Sequence, residues 1–350
     1  MTERENYLHT VKFGNPRWIP AYIAVNLASL IEYKDEMEKV MVRYPQYFGH
    51  FIPGQTDYSQ YGDGNCDIKE KDAWGYTWHY TKYGIEGCVT EHPLADWSAL
   101  ESYQPPDANL VHDRGGSRNW EAELKEIERK RQQGELTSGY LVHGFLFLRL
   151  QYLRGFENLM YDMADEHPNL YKLIEIIDHH TLTIVKKYCS TGVDLMEFPE
   201  DLGAEKSMLI SSKMFKQYIK PSYRKYIEPC KENDVITAFH SDGYILDILD
   251  DLLDLRLDVI NPQDLCNGID NLAKALKGKA CIRLDIDRSK ITPYGTRAEI
   301  FELIEKEVKV LGSKHGGLEF IYGVYPPTTP DRVNYVCEAL DKYRTYWWDK

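Results

Sequence analysis

From residue 137 onward, short apolar runs alternate regularly with longer amphipathic segments. The short runs are SGYLVHG (138–144), VDLMEF (193–198), VITAFH (235–240), LDVINP (257–262), ACIRLDI (280–286) and LEFIYGV (318–324). Their apolar character, bounded by turn formers, predicts strands. The segments at about 155–165, 168–190, 212–233, 244–255, 270–277, 296–312 and 330–346 carry the spacing of helices, with TGVD, GKA and HGG as breakers. A strand followed each time by a helix is the pattern of repeated β–α units. An open, doubly wound sheet that binds a nucleotide would show a Gly-rich turn after an early strand, and neither GxGxxG nor GxxxxGKS/T occurs. The predicted fold is therefore α/β, a closed (β/α)8 TIM barrel.

The first 136 residues are less regular. RWIPAYIAV (17–25) predicts a first barrel strand, and 50–110 carries loops rich in Gly, Tyr and Trp before the turn signal YQPPDAN. This part reads as an N-terminal elaboration covering the barrel mouth, so residues 1–350 form one domain, with 137–350 as its regular part. Two separate domains are the competing reading.

In (β/α)8 barrels the site is built at the C-terminal ends of the strands. The residues at and just beyond the predicted strand ends are His143; Glu197, Glu200 and Asp201; His240 and Asp242; Asn261, Gln263 and Asp264; Asp285 and Asp287; and Tyr322 and Tyr325. Polar and acidic groups thus converge on one rim. Carboxylates with histidine hold a divalent metal, zinc among them, or do acid and base work without one. Each residue also has a plainer use. His240 alone would be a hydrogen-bonded strand-end histidine. Glu200 and Asp201 suit a helix cap or a pair with Lys206, and Asn261-Pro262 starts a turn by itself. Asp285 and Asp287 alternate along the strand, so only one faces inward. Tyr322 and Tyr325 suit packing against helices, and His315 suits a loop. The aspartate two residues after His240, with the acids ending the previous strand, favours the functional reading.

Composition narrows the partners. Lys and Arg number 42 against 55 Asp and Glu, a formal charge of −13, and the longest basic stretch, ELKEIERKRQQGE (123–135), alternates signs at helical spacing. That is a solvated face, and it excludes a nucleic-acid surface. There is no apolar run long enough for a membrane span and no signal core at the N-terminus, so a soluble, cytoplasmic protein is expected. The 7 cysteines show no CxxC or zinc-finger spacing and read as free thiols. Aromatics make up 13% of the chain, and those of DAWGYTWHYTKYG (72–84) either line a pocket for a flat ligand or pack ordinarily.

The stretches GVDLMEFPEDLG, HSDGYILDILDDL, NPQDL, LDIDRSKITPYGT and YGVYPPTTPDRVN stand in the order and spacing of the uroporphyrinogen decarboxylase superfamily, which the chain resembles over about residues 137–345. KFGNPRWIPAY and EHPLADW extend the resemblance loosely into the N-terminal third. It implies a (β/α)8 barrel with its site at the C-terminal mouth. True uroporphyrinogen decarboxylases bind a polycarboxylate through an arginine-rich motif close to RQAGRY, for which PRWIPAYIAV offers a single arginine. The other large branch comprises corrinoid-dependent methyltransferases with zinc at the barrel mouth. Members that methylate a thiol read His-x-Cys at this strand end, with a second cysteine near the last strand. Here His240 is followed by Asp242, and EFIYGVYPP has no cysteine.

Oxygen ligands suit an ether substrate better than a thiol, so the resemblance implies a methyltransferase of the O-demethylase type. It would move methyl from a methoxylated aromatic to Co(I) of a corrinoid (cobalamin) held by a small partner protein. Zinc is expected on His240 with acids from Glu197, Glu200 and Asp242. Asn261, Asp285, Asp287 and Tyr322 join His240 as catalytic candidates. His143, Trp74, Tyr76, Trp78 and Tyr325 are the substrate-binding candidates, and the oligomeric state is left open, with a homodimer among the options. The alternatives are a metal-free decarboxylase in which Asp285 or Asp287 protonates a carbanion, a methyltransferase using a methylamine or methylthiol, and a non-catalytic corrinoid-binding adaptor.

Overall fold

The computed structural model describes residues 1–348, and the chain divides into two compact units made of interleaved stretches. A central unit takes Lys69–His79 and Cys88–Ile260; a terminal unit takes Met1–Ile68, Tyr80–Gly87 and the chain from Asn261 onward. In chain order the strands are β1 (Ala21–Val25), β2 (Asn65–Lys71), β3 (Thr77–Lys82), β4 (Cys88–Glu91), β5 (Ser138–Tyr140), β6 (Leu195–Asp201), β7 (Ile236–Asp242), β8 (Val259–Pro262), β9 (Cys281–Asp285) and β10 (Leu318–Val324). All six strands predicted after residue 137 are present, and β1 answers to RWIPAYIAV. Among the described residues these seven are the strands that fit a β–α repeat, where a closed barrel asks for eight. The stretch between β1 and β5 holds β2–β4 instead, whose polar and glycine-bounded sequence suits an exposed antiparallel pairing such as that of β3 with β4. No helix among the described residues is long and apolar enough to cross a membrane.

In the central unit β6 lies between β5 and β7, all parallel. Its apolar text ends at Phe198, yet the strand runs on to Asp201, because the ladder pairs Pro199 with His240, Glu200 with Ser241 and Asp201 with Asp242. Backbone pairing needs no apolar side chain, so the strand carries its own polar tip. The long helix Pro168–Cys189 and the helix Lys220–Glu232 supply apolar faces to this layer, burying Leu173, Ile177, Ile184, Tyr223 and Tyr226.

The same unit buries an ionic cluster. Asp113 accepts from Trp74 Nε1 at 2.9 Å, lies 3.1 Å from His180 Nε2, and pairs with Arg149 Nη2 at 2.7 Å. Arg149 is fully buried with its guanidinium 4.1 Å from the Trp74 ring centre. Burial opposes the charge on Asp113, but Arg149 and the donors around it hold its carboxyl well below the usual range.

In the terminal unit β10 lies between β1 and β9, again parallel. Here Asp264 accepts the backbone N–H of Asp287 at 3.0 Å, and burial pushes its carboxyl up to about 6 from 3.8. Glu307 is wholly buried, and burial together with the charge of Asp264 pushes it well above its ordinary value. Each acid therefore favours its protonated form in the folded chain. For Asp264 the stability this contributes is complete below the unfolded pKa near 4 and is lost as pH rises through the folded value near 6. The shift of Asp264 corresponds to about 3 kcal/mol. In urea unfolding at pH 4.5 and pH 7, Asp264→Asn is expected to gain on the wild type as pH rises. An equal difference at both pH values would contradict the assignment.

Candidate metal centre

Strand alternation decides which acids can meet the histidines. Along β6, Glu197, Pro199 and Asp201 are half-exposed while Phe198 and Glu200 are buried; along β7, His240 and Asp242 are half-exposed while Phe239 and Ser241 are buried. With Asp201 opposite Asp242 and Pro199 opposite His240, the open face presents Asp201, His240 and Asp242 side by side. His143 arrives from the neighbouring segment. Beyond β5 the chain keeps following β6, with Leu141 N–H donating to Glu197 O at 3.2 Å and Gly144 N–H to Pro199 O at 3.0 Å.

The result is a compact group. His143 Nε2 lies 3.3 Å from Asp201 Oδ2, and His240 Nε2 lies 3.9 Å from Asp201 Oδ1 and 3.3 Å from Asp242 Oδ1. One ligand atom from each of His143, Asp201 and His240 falls within 4.8 Å of the others. Ligands at zinc bond lengths in a tetrahedral site stand about 3.3 Å apart, so modest side-chain movement would close this trio on an ion. Two imidazole nitrogens and one carboxylate, with a fourth position open, form a donor set of catalytic zinc. Burial opposes protonation of His143, but the hydrogen bond and charge of Asp201 outweigh it, so its pKa lies above the ordinary value. The acid thus already favours a positive charge at that place.

The strand-end loops are locked by two glycines. A Cβ on Gly243, whose φ is +78°, would sit 2.3 Å from the carbonyl carbon of Gly203, and one on Gly203 would sit 2.5 Å from Tyr244 N. Only bare backbone lets the loops after β6 and β7 touch. Tyr244 N–H then donates to Ala204 O at 2.8 Å, Asp242 N–H to Asp201 Oδ1 at 2.9 Å, and Leu202 N–H to Ser241 Oγ at 2.8 Å.

Of the four residues predicted as metal ligands, His240 joins the trio. Asp242 touches His240 but stands outside the trio, and Glu197 lies on the same face four residues before Asp201. Glu200 points the other way. Its carboxylate accepts the backbone N–H groups of Leu146 at 3.1 Å, Phe147 at 2.8 Å and Leu148 at 3.1 Å, and burial pushes it up to about 6. Asp201 takes the place expected for Glu200, because a period of two puts Asp201 in phase with Glu197 and Glu200 out of phase. That signal lay in the sequence once β6 was allowed to run through its polar tip. His143, predicted as a substrate contact, stands as a ligand candidate.

Trp74, Tyr76 and Trp78 are packed in the core of the central unit. Arg149 covers the face of Trp74 and Arg114 that of Trp78 at 3.8 Å, while Tyr152 lies edge-on to Trp78 and tilted against Tyr76. A flat ligand would find these faces taken. The remaining candidates belong to the terminal unit. Asn261 Nδ2 donates to Arg283 O at 2.5 Å, and Asp285 lies 3.2 Å from Arg288. Asp287 accepts the N–H groups of Ser289, Lys290, Ile291 and Thr292, which makes it a loop former. Tyr322 is fully buried, with its phenol pushed up to about 12 by that burial, and Tyr325 lies on the surface beside Arg288 at 5.4 Å.

Comparison with known proteins agrees with this architecture. Over 96% of this chain and 97% of the other, the structure is similar to a methyltransferase from Methanosarcina mazei, at 15% identity and a TM-score of 0.61, which establishes a shared fold. A B12-independent methionine synthase from Shewanella sp. W3-18-1 is similar more weakly, at 13% identity over 89% of this chain and 85% of that one, with a TM-score of 0.43. No curated protein matches the chain in sequence. The family model described as uroporphyrinogen decarboxylase (URO-D) matches residues 75–343, well over half of the chain and the whole of the candidate metal centre. The chain belongs to the uroporphyrinogen decarboxylase family.

Proposed function

We propose that this protein is a zinc-dependent methyltransferase that moves a methyl group from a methoxylated aromatic to the cobalt of a corrinoid carried by a small partner protein. The observation that carries the reading is the trio His143, Asp201 and His240, a donor set with an open position on the half-exposed face of β6 and β7. The fold shared with the Methanosarcina methyltransferase supports methyl transfer as the reaction class. When bound, zinc supplies Lewis acidity at the ether oxygen, a contribution of several kcal/mol to departure of the phenolate. Two neutral imidazoles and a single carboxylate leave a net positive charge at the ion, which keeps the site electrophilic. Asp242, 3.3 Å from His240, adds a second carboxylate beside the proposed ligands. The methyl carbon leaves oxygen without the bonding pair, which stays on the phenolate, and the acceptor cobalt supplies the pair for the new bond.

Zinc-loaded protein mixed with a Co(I) corrinoid and a panel of methoxyarenes is expected to give the methyl–Co(III) spectrum and free phenol in equal amounts. No transfer from any member, with zinc shown to be bound, would end the substrate assignment. Membership of the decarboxylase family supports a second reading, a metal-free decarboxylase in which Asp285 or Asp287 delivers the proton. Full activity in protein free of zinc would select that reading.

A further inference from the structure

We infer that Glu200 is a positioning residue for the metal centre: its carboxylate holds the start of the helix Phe147–Arg154, and through it the loop that sets His143 against Asp201 and His240. The inference rests on the proposed metal site. One wholly buried carboxylate on β6 receives three successive backbone N–H groups from a segment more than fifty residues earlier, those of Leu146, Phe147 and Leu148. These are donors that a helix start leaves without partners, and Leu146, at the N-cap position, makes no cap bond with its own side chain. Glu200 replaces that cap from a distant strand, and its negative charge suits the positive end of the helix.

The grip lies next to the metal ligands on both sides. Asp201 follows Glu200 directly and faces the opposite way, toward the histidines. His143 precedes the first gripped N–H by three residues, and the loop between them is short and anchored. Gly144 N–H is bonded to Pro199 O, and Phe145 is buried against Phe198, Tyr223 and Tyr226. Adjacent residues of one strand therefore fix both ends of the 3.3 Å approach between His143 and Asp201. A carboxylate is needed because three backbone donors and the Tyr223 hydroxyl converge on two acceptor oxygens. An amide in its place turns an NH2 group toward at least one of those donors, and the loop must move away from it.

The test is zinc affinity, measured by competition with a chromophoric chelator, together with the visible spectrum of the Co2+-substituted protein. Glu200→Gln is expected to bind zinc about 10–100-fold more weakly than the wild type, the range seen when partners of metal ligands are removed. Its Co2+ spectrum is expected to change as His143 shifts. Leu173→Ala, a core cavity on the helix Pro168–Cys189, is expected to lower stability while leaving zinc affinity unchanged. If Glu200→Gln does not fold, Glu200→Asp carries the same test, because it keeps the charge but retracts it by one methylene. Wild-type affinity and an unaltered spectrum in the folded Glu200 variant would overturn the inference. A wild-type protein that binds no zinc would remove the metal reading itself, a different result from wild-type binding that Glu200→Gln leaves intact.

Discussion

His240→Ala is expected to abolish stoichiometric zinc binding and to lower methyl transfer by about a thousandfold or more, while the protein stays folded. His240 offers Nε2 to the trio and is half-exposed on its strand, so its removal takes a ligand without opening a cavity. Loss of a first ligand weakens a site by more than the roughly 10–100-fold that follows loss of a supporting partner. If the ion contributes about 4 kcal/mol at the ether oxygen, its absence costs about three powers of ten in rate. Metal analysis, circular dichroism and single-turnover spectra of the variant test the three parts separately. A variant that retains one zinc per chain would show that His240 is not a ligand. One that loses zinc but keeps its rate would show that the ion is not catalytic.

Asp113→Asn is expected to destabilise the chain by about 3–5 kcal/mol, the cost of leaving a buried partner charge uncompensated. Arg149 has its closest carboxylate in Asp113, at 2.7 Å, and lies fully buried against Trp74. Asparagine keeps the size of the side chain and an acceptor for Trp74 Nε1, so the change isolates the charge. Replacing both members with apolar residues of similar volume is expected to recover only part of the loss, since the buried Arg118, 3.8 Å from Asp113, and the Trp74 Nε1 donor then lose their partner. Urea unfolding of the single and double variants measures this, and a single-variant loss under about 1 kcal/mol would mean that Arg149 is solvated or paired elsewhere.

The fold was legible wherever a strand announces itself by apolar text. LEFIYGV marks β10 without error, and VITAFH finds β7 as far as His240. It was less legible where backbone pairing carries a strand through polar residues, as in EFPED. There the apolar run stops at Phe198 while the ladder goes on to Asp201. That difference of three residues mattered for the site. With the strand ended at Phe198, Glu200 and Asp201 are both loop acids, and Glu200 is taken as the ligand candidate without Asp201. With it continued, alternation separates a gripping acid from a ligand candidate. His143 was found as a strand-end residue, but its approach to Asp201 depends on bonds between distant segments that no local pattern encodes. The aromatic text 72–84 left its use open for a related reason. Composition reports aromatic rings, while only the fold shows that Arg149, Arg114 and Tyr152 already occupy their faces.

The two glycines that bring the strand-end loops together give the acids of the site an unusual mechanical inheritance. Between Gly203 and Gly243 no rotatable side chain takes up slack, so the spacing of Asp201 and Asp242 follows from peptide geometry and not from how well a core happens to be filled. Substitutions in the surrounding helices are expected to leave the gauge of the acid pair unchanged, since it is set where two bare backbones meet.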